Sequence, residues 1–346
     1  MNNVKNILFK VFCLTCLFYT PVVVADHASA SFETGAAGAI MTTPGATLPE
    51  GKIVLGFNVQ FIEFDDISDS ELKAFGAANE DIHSIDNLFN YQANLAYGIT
   101  DNITVGASIP YIERNNVRAA HNNMGVGEVE KAGNSSGISD ARFFGQYRFY
   151  HDNQQDLSVT GGIKTPTGKT HVRETGGELF ETDHQPGSGS WDPFFGLAYN
   201  RSFGRAGLSA NVLYTWTTEG IQQTELGKAF NYNLALSYRM FSAMEEHHHH
   251  EHVHGANEYH DHDTSFVNYV DFAMELNGDV RDKDKTNGVG DENSGGNIIY
   301  LSPGMRIGFA HHWSLYTSVG IPIVNDLNGI QSEPGYRVIG GISTSF

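Results

Sequence analysis

Hydrophobic and polar residues alternate from Phe89 to Tyr111. Phe89, Tyr91, Ala93, Leu95, Tyr97 and Ile99 share one parity, and Asn90, Gln92, Asn94, Gly98 and Thr100 share the other. After Asp101-Asn102 the pattern resumes, with Ile103, Val105, Ala107, Ile109 and Tyr111 set against Thr104, Gly106 and Ser108. A period of two predicts two strands, and an Asp-Asn pair tolerates the left-handed conformations of a tight hairpin turn. One face is almost wholly aliphatic and aromatic, and the other carries amides, hydroxyls and glycine. That sidedness fits a membrane strand with lipid on one side and a polar lumen on the other.

The pattern recurs along the chain. It begins at Ile53–Phe61 and returns at Ala141–Phe149, Leu157–Ile163, Phe195–Tyr199, Leu208–Trp216, Tyr232–Met240, Val270–Leu276, Leu301–Phe309, Trp313–Ile321 and Val338–Phe346. With the two runs above this makes twelve, an even number, as a closed bacterial barrel requires. The connections alternate in length. Asp101-Asn102, His151–Asp156, Ser202–Ala206 and Ala310–His312 are short. Asp65–Asn87, Glu113–Gly137, Pro166–Ser190, Thr218–Ala229, Gly278–Gly296 and Val324–Gly335 are long. The expected fold is all-β, a transmembrane antiparallel outer-membrane β-barrel with short periplasmic turns and long extracellular loops. A soluble β-sandwich is the alternative, but it would bury its aromatics and would not confine long polar loops to one edge.

Met1 to Ala25 has the form of a secretory signal, with Lys5 and Lys10 ahead of an apolar core and cleavage sites after Ala25 or Ala30. Residues 26–51 form a patternless, small-residue extension, which either lies in the periplasm or threads into the lumen. Residues 52–346 are the expected barrel. Both cysteines, Cys13 and Cys16, lie in the signal, so the mature chain has no thiol for disulfides or metal ligation. Without Lys5 and Lys10, 19 basic residues stand against 40 acidic ones, a formal charge of −21. This excludes the basic surface a nucleic-acid partner needs. Glycine is frequent, at 38 of 346 residues, and mean hydropathy is mildly negative at −0.29. A barrel accommodates both, because only alternate residues meet lipid.

Gly137–Phe149 (GISDARFFGQYRF), Gly162–Thr170 (GIKTPTGKT), Gln185–Gly204 (QPGSGSWDPFFGLAYNRSFG) and Phe230–Arg239 (FNYNLALSYR) resemble the meta-pathway phenol-degradation family of outer-membrane proteins. The specific marks are Gly137 with Asp140, the Lys-Thr-Pro-Thr-Gly turn ending at Gly168, and the Gly-Ser-Gly-Ser strand start before Trp191. The resemblance covers most of the mature chain. It implies a transporter-like barrel associated with aromatic catabolism and requires no cofactor.

Candidate catalytic chemistry does not survive inspection. Gly162–Thr170 has five residues between its glycines where a phosphate-binding loop has four, and a polar loop follows in place of a helix. Asp282–Gly288 lacks the bidentate Glu of a calcium loop, since Asn293 holds the twelfth position. His121 has no serine placed beside it as a nucleophile. The chain does not read as an enzyme.

Two groups of residues carry candidate binding chemistry. The inward parity holds Arg142, Arg148, Lys164, Arg239, Asp271, Glu275, Arg306 and Arg337. These either pair and fill the interior or line a narrow polar conduit. The connection 242–263 falls on the short-turn side and breaks its rule. It holds His247, His248, His249, His250, His252, His254, His260 and His262, with Asp261 and Asp263, and so contains eight of the sixteen histidines. Imidazole and carboxylate without thiol suit Zn²⁺, Cu²⁺ or Ni²⁺. Strand parity places this insert in the periplasm, where a periplasmic metal carrier is a candidate partner. The bilayer and lipopolysaccharide are the expected surroundings, in the outer membrane of a Gram-negative cell. Two functions stay open. One is a transporter or channel for a small solute, a divalent metal ion or a small aromatic compound. The other is a non-conducting barrel with a metal-sequestering or structural role.

Overall fold

The computed structural model describes residues 38–243 and 266–346. The expected signal, the first part of the extension and the histidine insert lie outside the described residues. Thirteen strands build the wall: β1 (Ile53–Asp65), β2 (Asn87–Thr100), β3 (Ile103–Asn123), β4 (Val126–Ile138), β5 (Arg142–His151), β6 (Gln155–Lys164), β7 (Asp192–Phe203), β8 (Ala206–Thr215), β9 (Ala229–Ser242), β10 (Val267–Arg281), β11 (Gly296–Phe309), β12 (Trp313–Leu327) and β13 (Glu333–Ser345). Each pairs antiparallel with its neighbours, and β1 closes on β13 from Val54↔Ser345 to Asp65↔Glu333. The long β3 takes two partners on one edge. Ile103–Ser108 pairs with β5, and Tyr111–Asn123 pairs with β4. β4 and β5 therefore form one interrupted stave, and the barrel has twelve staves. The interruption falls opposite Pro110, which has no N–H to give and instead accepts the Ser139 N–H on its carbonyl at 2.8 Å.

Side-chain alternation sets the two faces. Leu55, Phe57, Leu95, Ile109, Leu197, Leu236, Met274, Leu315 and Ile321 project outward and are exposed, while Asn58, Gln60, Asn90, Gln92, Ser158, Asn233, Glu275 and Ser302 are buried inside. An aromatic cluster lies near the outer rim on the adjacent strands β13, β1, β2 and β3. Phe61 meets Phe89 at 4.8 Å and Tyr336 at 5.9 Å, Phe89 stacks on Tyr91 at 5.9 Å, and Tyr91 meets Tyr111 at 6.2 Å. Tyrosine rings, with one apolar and one polar edge, settle at membrane interfaces, and aromatic residues flank the lipid band of outer-membrane barrels. Among the described residues no helix is long and apolar enough to cross a membrane.

Two long connections depart from the expected loops. Glu113–Gly137 is a continuation of β3 and β4 as a paired ribbon turning at Met124-Gly125, both with positive φ. It stands clear of lipid, so its side chains are mostly polar. Of the apolar ones only Val117 and Ala132 are buried, against Phe180, which is too few for an apolar parity. His121 therefore lies on a strand, with Glu130 at 3.7 Å. Asp65–Asn87 contains a helix, α1 (Asp69–Ala78), started by a capping box in which Ser68 accepts from the Glu71 N–H and Glu71 accepts from the Ser68 N–H. α1 lies against the β3–β4 ribbon, and Leu72 is fully buried. At the other end of the barrel, Ser242 and Val267 flank the insert on the short-turn side, where Ser242 pairs with Tyr269.

Candidate functional site

The extension enters the barrel. Ala39, Ile40, Thr42, Ala46, Thr47 and Leu48 are all buried in the lumen. Their anchor is Glu275, itself 1% exposed, whose carboxylate accepts the backbone N–H groups of Ile40, Met41 (3.1 Å) and Thr42 (3.0 Å) and the Thr42 hydroxyl (2.9 Å). Consecutive amides converging on one anion form a nest, which compensates a carboxylate taken out of water. Further along, Thr43 N–H donates to Asn211 Oδ1 at 3.0 Å, Gln146 Nε2 donates to Pro44 O at 2.8 Å, and Leu48 N–H donates to Thr104 Oγ1 at 2.8 Å. The fit is close enough to require glycine at position 45, where a Cβ would lie 2.5 Å from the Asp156 carbonyl oxygen. Residues 38–49 thus form a plug whose backbone polar groups are taken up by the barrel wall.

All eight charged lumen candidates face inward, and most are engaged. Arg239 grips Asp271 through two bonds of 2.8 and 2.9 Å, and Asp271 also accepts the Gly38 N–H at 3.2 Å. Arg306 donates to the Ala39 carbonyl at 2.7 Å and lies over the Tyr316 ring at 5.0 Å. Arg337 lies 4.0 Å above Tyr300 and donates to Asn277 Oδ1 at 2.9 Å. Arg148 pairs with Asp156 at 3.1 Å beside the short Asp101-Asn102 turn. Arg142 lies over Phe194 at 5.6 Å and borders the space the plug leaves, a cavity of about 80 Å³ that also meets Phe144, Gln146 and Tyr316. Phe144 and Phe194 are inward-facing aromatics that parity alone would mark as irregular on a polar face.

The outer mouth is organised by Lys164 and two buried acids outside the predicted lumen set, Asp140 and Asp192, which sit at strand ends where the alternating runs have not yet begun. Lys164 Nζ lies 2.5 Å from Asp192 and 3.4 Å from Asp140. Asp140 accepts the N–H groups of Gly168 (2.9 Å) and Ser188 (2.8 Å) and the Ser188 hydroxyl (2.7 Å). Asp192 accepts from the Thr218 N–H at 2.9 Å and from Ser190 at 3.1 Å. The three motifs noted in the sequence therefore meet at one point. Gly168 and Gly187 face each other so closely that a Cβ on either would lie 2.7 Å from the other's backbone.

Above this mouth, Asp282–Gly288 is a turn, not a cation loop. Lys285-Thr286 pairs with Val289-Gly290 across Asn287-Gly288, both with positive φ. The Asp284 carboxylate is directed at the Gly227 N–H, 2.5 Å away. Burial pushes its pKa up to about 6, against the opposing pull of Arg281.

A closed twelve-stave barrel with an apolar exterior, aromatic rings near its rim and a polar, plugged lumen is an outer-membrane β-barrel. The chain belongs to the family described as "Putative MetA-pathway of phenol degradation", whose model matches residues 22–323. Its fold is shared with the COG4313 outer membrane channel from Pseudomonas putida F1, at 15% identity and a TM-score of 0.52 over 87% of this chain and 97% of that one. More distant matches include the CymD monoaromatic hydrocarbon channel (10% identity, TM-score 0.40, 86% and 88% covered). The Pseudomonas putida toluene transporter TodX matches at 9% identity and a TM-score of 0.39, with 86% and 90% covered. No curated protein matches the chain.

Proposed function

We propose that this protein is an outer-membrane channel for a small aromatic or similarly apolar solute, held closed at rest by its N-terminal plug. The observation that carries this reading is the docking of residues 38–49 on Glu275, which leaves a cavity of about 80 Å³ edged by Phe144, Phe194 and Tyr316. A benzene ring needs a cavity of roughly 150 Å³. A monoaromatic solute therefore fits only when the plug moves, and hydrophilic leakage is low while it stays. The family description, which names phenol degradation, supports aromatic substrates over other apolar ones. A metal ion is a poorer fit as the transported solute, because Asp271 and Glu275 are taken up by Arg239 and the plug backbone. Transport requires no cofactor and no catalytic group.

Uptake of radiolabelled toluene and phenol by cells with and without the protein, alongside conductance in planar bilayers, tests the reading. Protein-dependent uptake with low resting conductance is expected. Absence of both would leave the non-conducting structural barrel, the reading favoured by the paired luminal charges. For the histidine insert, which lies outside the described residues, we propose binding of Zn²⁺ or Cu²⁺ on the periplasmic side, after the signal has directed export.

A further inference from the structure

Among the described residues one group brings together three metal-ligating side chains, and it lies far from the plug. His83 sits on the β1–β2 connection, while Glu181 and His184 sit on the β6–β7 connection. One ligand atom from each lies within 4.8 Å of the other two. The imidazoles of His83 and His184 are 4.8 Å apart between centroids, and His83 Nδ1 is 4.0 Å from Glu181 Oε2.

The backbones that carry these groups are fixed. Ile82 is fully buried, its carbonyl accepts the Ala120 N–H at 2.8 Å, and His83 pairs with Ala119 of β3. His184 closes a short 3₁₀ turn between buried Phe180 and buried Gln185. The Gln185 side chain in turn donates to the carbonyls of Val172 (2.9 Å) and Phe180 (2.8 Å). His184 is 4% exposed, and its Nδ1 meets Asp183 Oδ1 at 3.0 Å. A carboxylate on one ring nitrogen fixes the tautomer and leaves the other nitrogen with the lone pair a metal takes. Glu181 and His83 keep side-chain freedom, being 52% and 23% exposed.

We propose that His83, Glu181 and His184 form a divalent transition-metal site, best suited to Zn²⁺, that staples the β1–β2 loop to the β6–β7 loop at the outer mouth. Two imidazoles and one carboxylate are a recurrent zinc donor set that leaves a fourth position for water, whereas calcium and magnesium take oxygen donors. Bonds of about 2.0–2.1 Å at tetrahedral angles place donor atoms roughly 3.4 Å apart. The three groups reach that spacing by an inward swing of the two freer side chains toward His184. The site faces the cell exterior, at the opposite end of the barrel from the ends that flank the histidine insert. Binding there ties together two loops that roof the lumen and requires neither the plug nor the transported solute.

Amide hydrogen exchange on the full-length protein tests this, with Zn²⁺ as the probe. Free zinc at 100 times its Kd should slow exchange in segments 82–84 and 179–186 by up to about 100-fold. The same protection should persist when the eight insert histidines are replaced by serine. It should vanish in both segments in His83→Ala and in Glu181→Gln, whose outer positions leave the buried His184 packing and the barrel's heat-modifiability intact. Unchanged exchange in the wild type on adding zinc overturns the proposal. So does protection that survives His83→Ala, or protection lost on replacing the insert histidines, which would assign the zinc effect to the insert.

Discussion

Thr42 and Glu275 are joined twice, through the Thr42 backbone N–H at 3.0 Å and its hydroxyl at 2.9 Å, both to the same carboxylate oxygen. Glu275→Gln keeps the shape but removes the charge and half of the accepting capacity. One charge-assisted bond is worth about 1.5–3 kcal/mol, so the plug-open population should rise about ten- to hundredfold. Single-channel recordings should show more frequent or larger openings than in the wild type. A variant as quiet as the wild type would mean that Glu275 does not hold the plug.

The luminal arginines should separate by their partners. Arg142 borders the open cavity, so Arg142→Glu should shift ion selectivity toward cations, as charged linings do in narrow pores. Arg306→Glu would set a carboxylate against the Ala39 carbonyl and should chiefly displace the plug, raising conductance. Reversal potentials under a salt gradient distinguish the two. Equal behaviour of both variants would contradict this assignment.

Asp140→Asn should loosen the outer mouth. An amide nitrogen would face the Ser188 or Gly168 N–H, leaving a buried donor unmet at a cost of about 1–3 kcal/mol. Gly187→Ala should act in the same direction by driving a Cβ into Gly168. Both should lower the temperature at which the folded band is lost in heat-modifiability gels, and wild-type behaviour in both would show the cluster to be dispensable.

Asp284 gives a pH dependence with a defined sign. Its folded pKa of about 6 lies above the ordinary value of 3.8, so the folded loop prefers the protonated acid. This contribution is complete below about pH 4 and is lost as pH rises through about 6, weakening the loop by roughly 2–3 kcal/mol. Exchange in segment 282–294, corrected for intrinsic pH effects, should speed up across that window, and Asp284→Asn should flatten the response. A pH-independent wild type would refute the coupling.

Removing 245–263 should abolish the insert's several weakly distinguishable Zn²⁺ or Cu²⁺ sites while the barrel still folds. In the intact chain their affinity should fall as pH drops through about 6.5, where imidazole protonates. A Gly255→Cys variant should resist impermeant thiol reagents on intact cells. Ready labelling would place the insert outside the cell.

Strand parity exposed the wall, because a barrel residue's environment alternates with its position. Arg239, Asp271 and Glu275 could be assigned to the lumen for that reason. Their partners could not, since register between distant strands and the path of a patternless segment leave no periodic trace. Residues 38–49 alternate short polar and apolar side chains with prolines and glycines in no fixed period, and Ile40, Met41 and Leu48 gain meaning only once a wall lies within packing and hydrogen-bonding reach. Asp140, Gly168 and Ser188 stood in recognisable motifs, but only the folded mouth shows why they belong together. The capping box at Ser68 and Glu71 is legible in the sequence, within a connection that length alone marks as a long loop. The β3–β4 ribbon left little apolar signal because neither face meets lipid and the face covered by α1 and the loops needs only a few apolar residues, such as Val117 and Ala132. His83 and His184 lie on separate loops, so no spacing rule could have joined them.

The plug's contacts also bear on how the molecule is assembled. Residues 38–42 are bonded to Asp271 and Glu275 at sequence separations of 233 to 235, and Ala39 to Arg306 at 267. The receiving strands are among the last to be made, while the plug is among the first exported segments. Contacts between such distant points form late, because the intervening chain must be ordered before they bring any stabilisation. This order predicts a newly inserted barrel that is hollow before it is stoppered. On the proposed channel reading, the permeability barrier in that interval would depend on how fast the amino-terminal segment finds a carboxylate on the tenth strand.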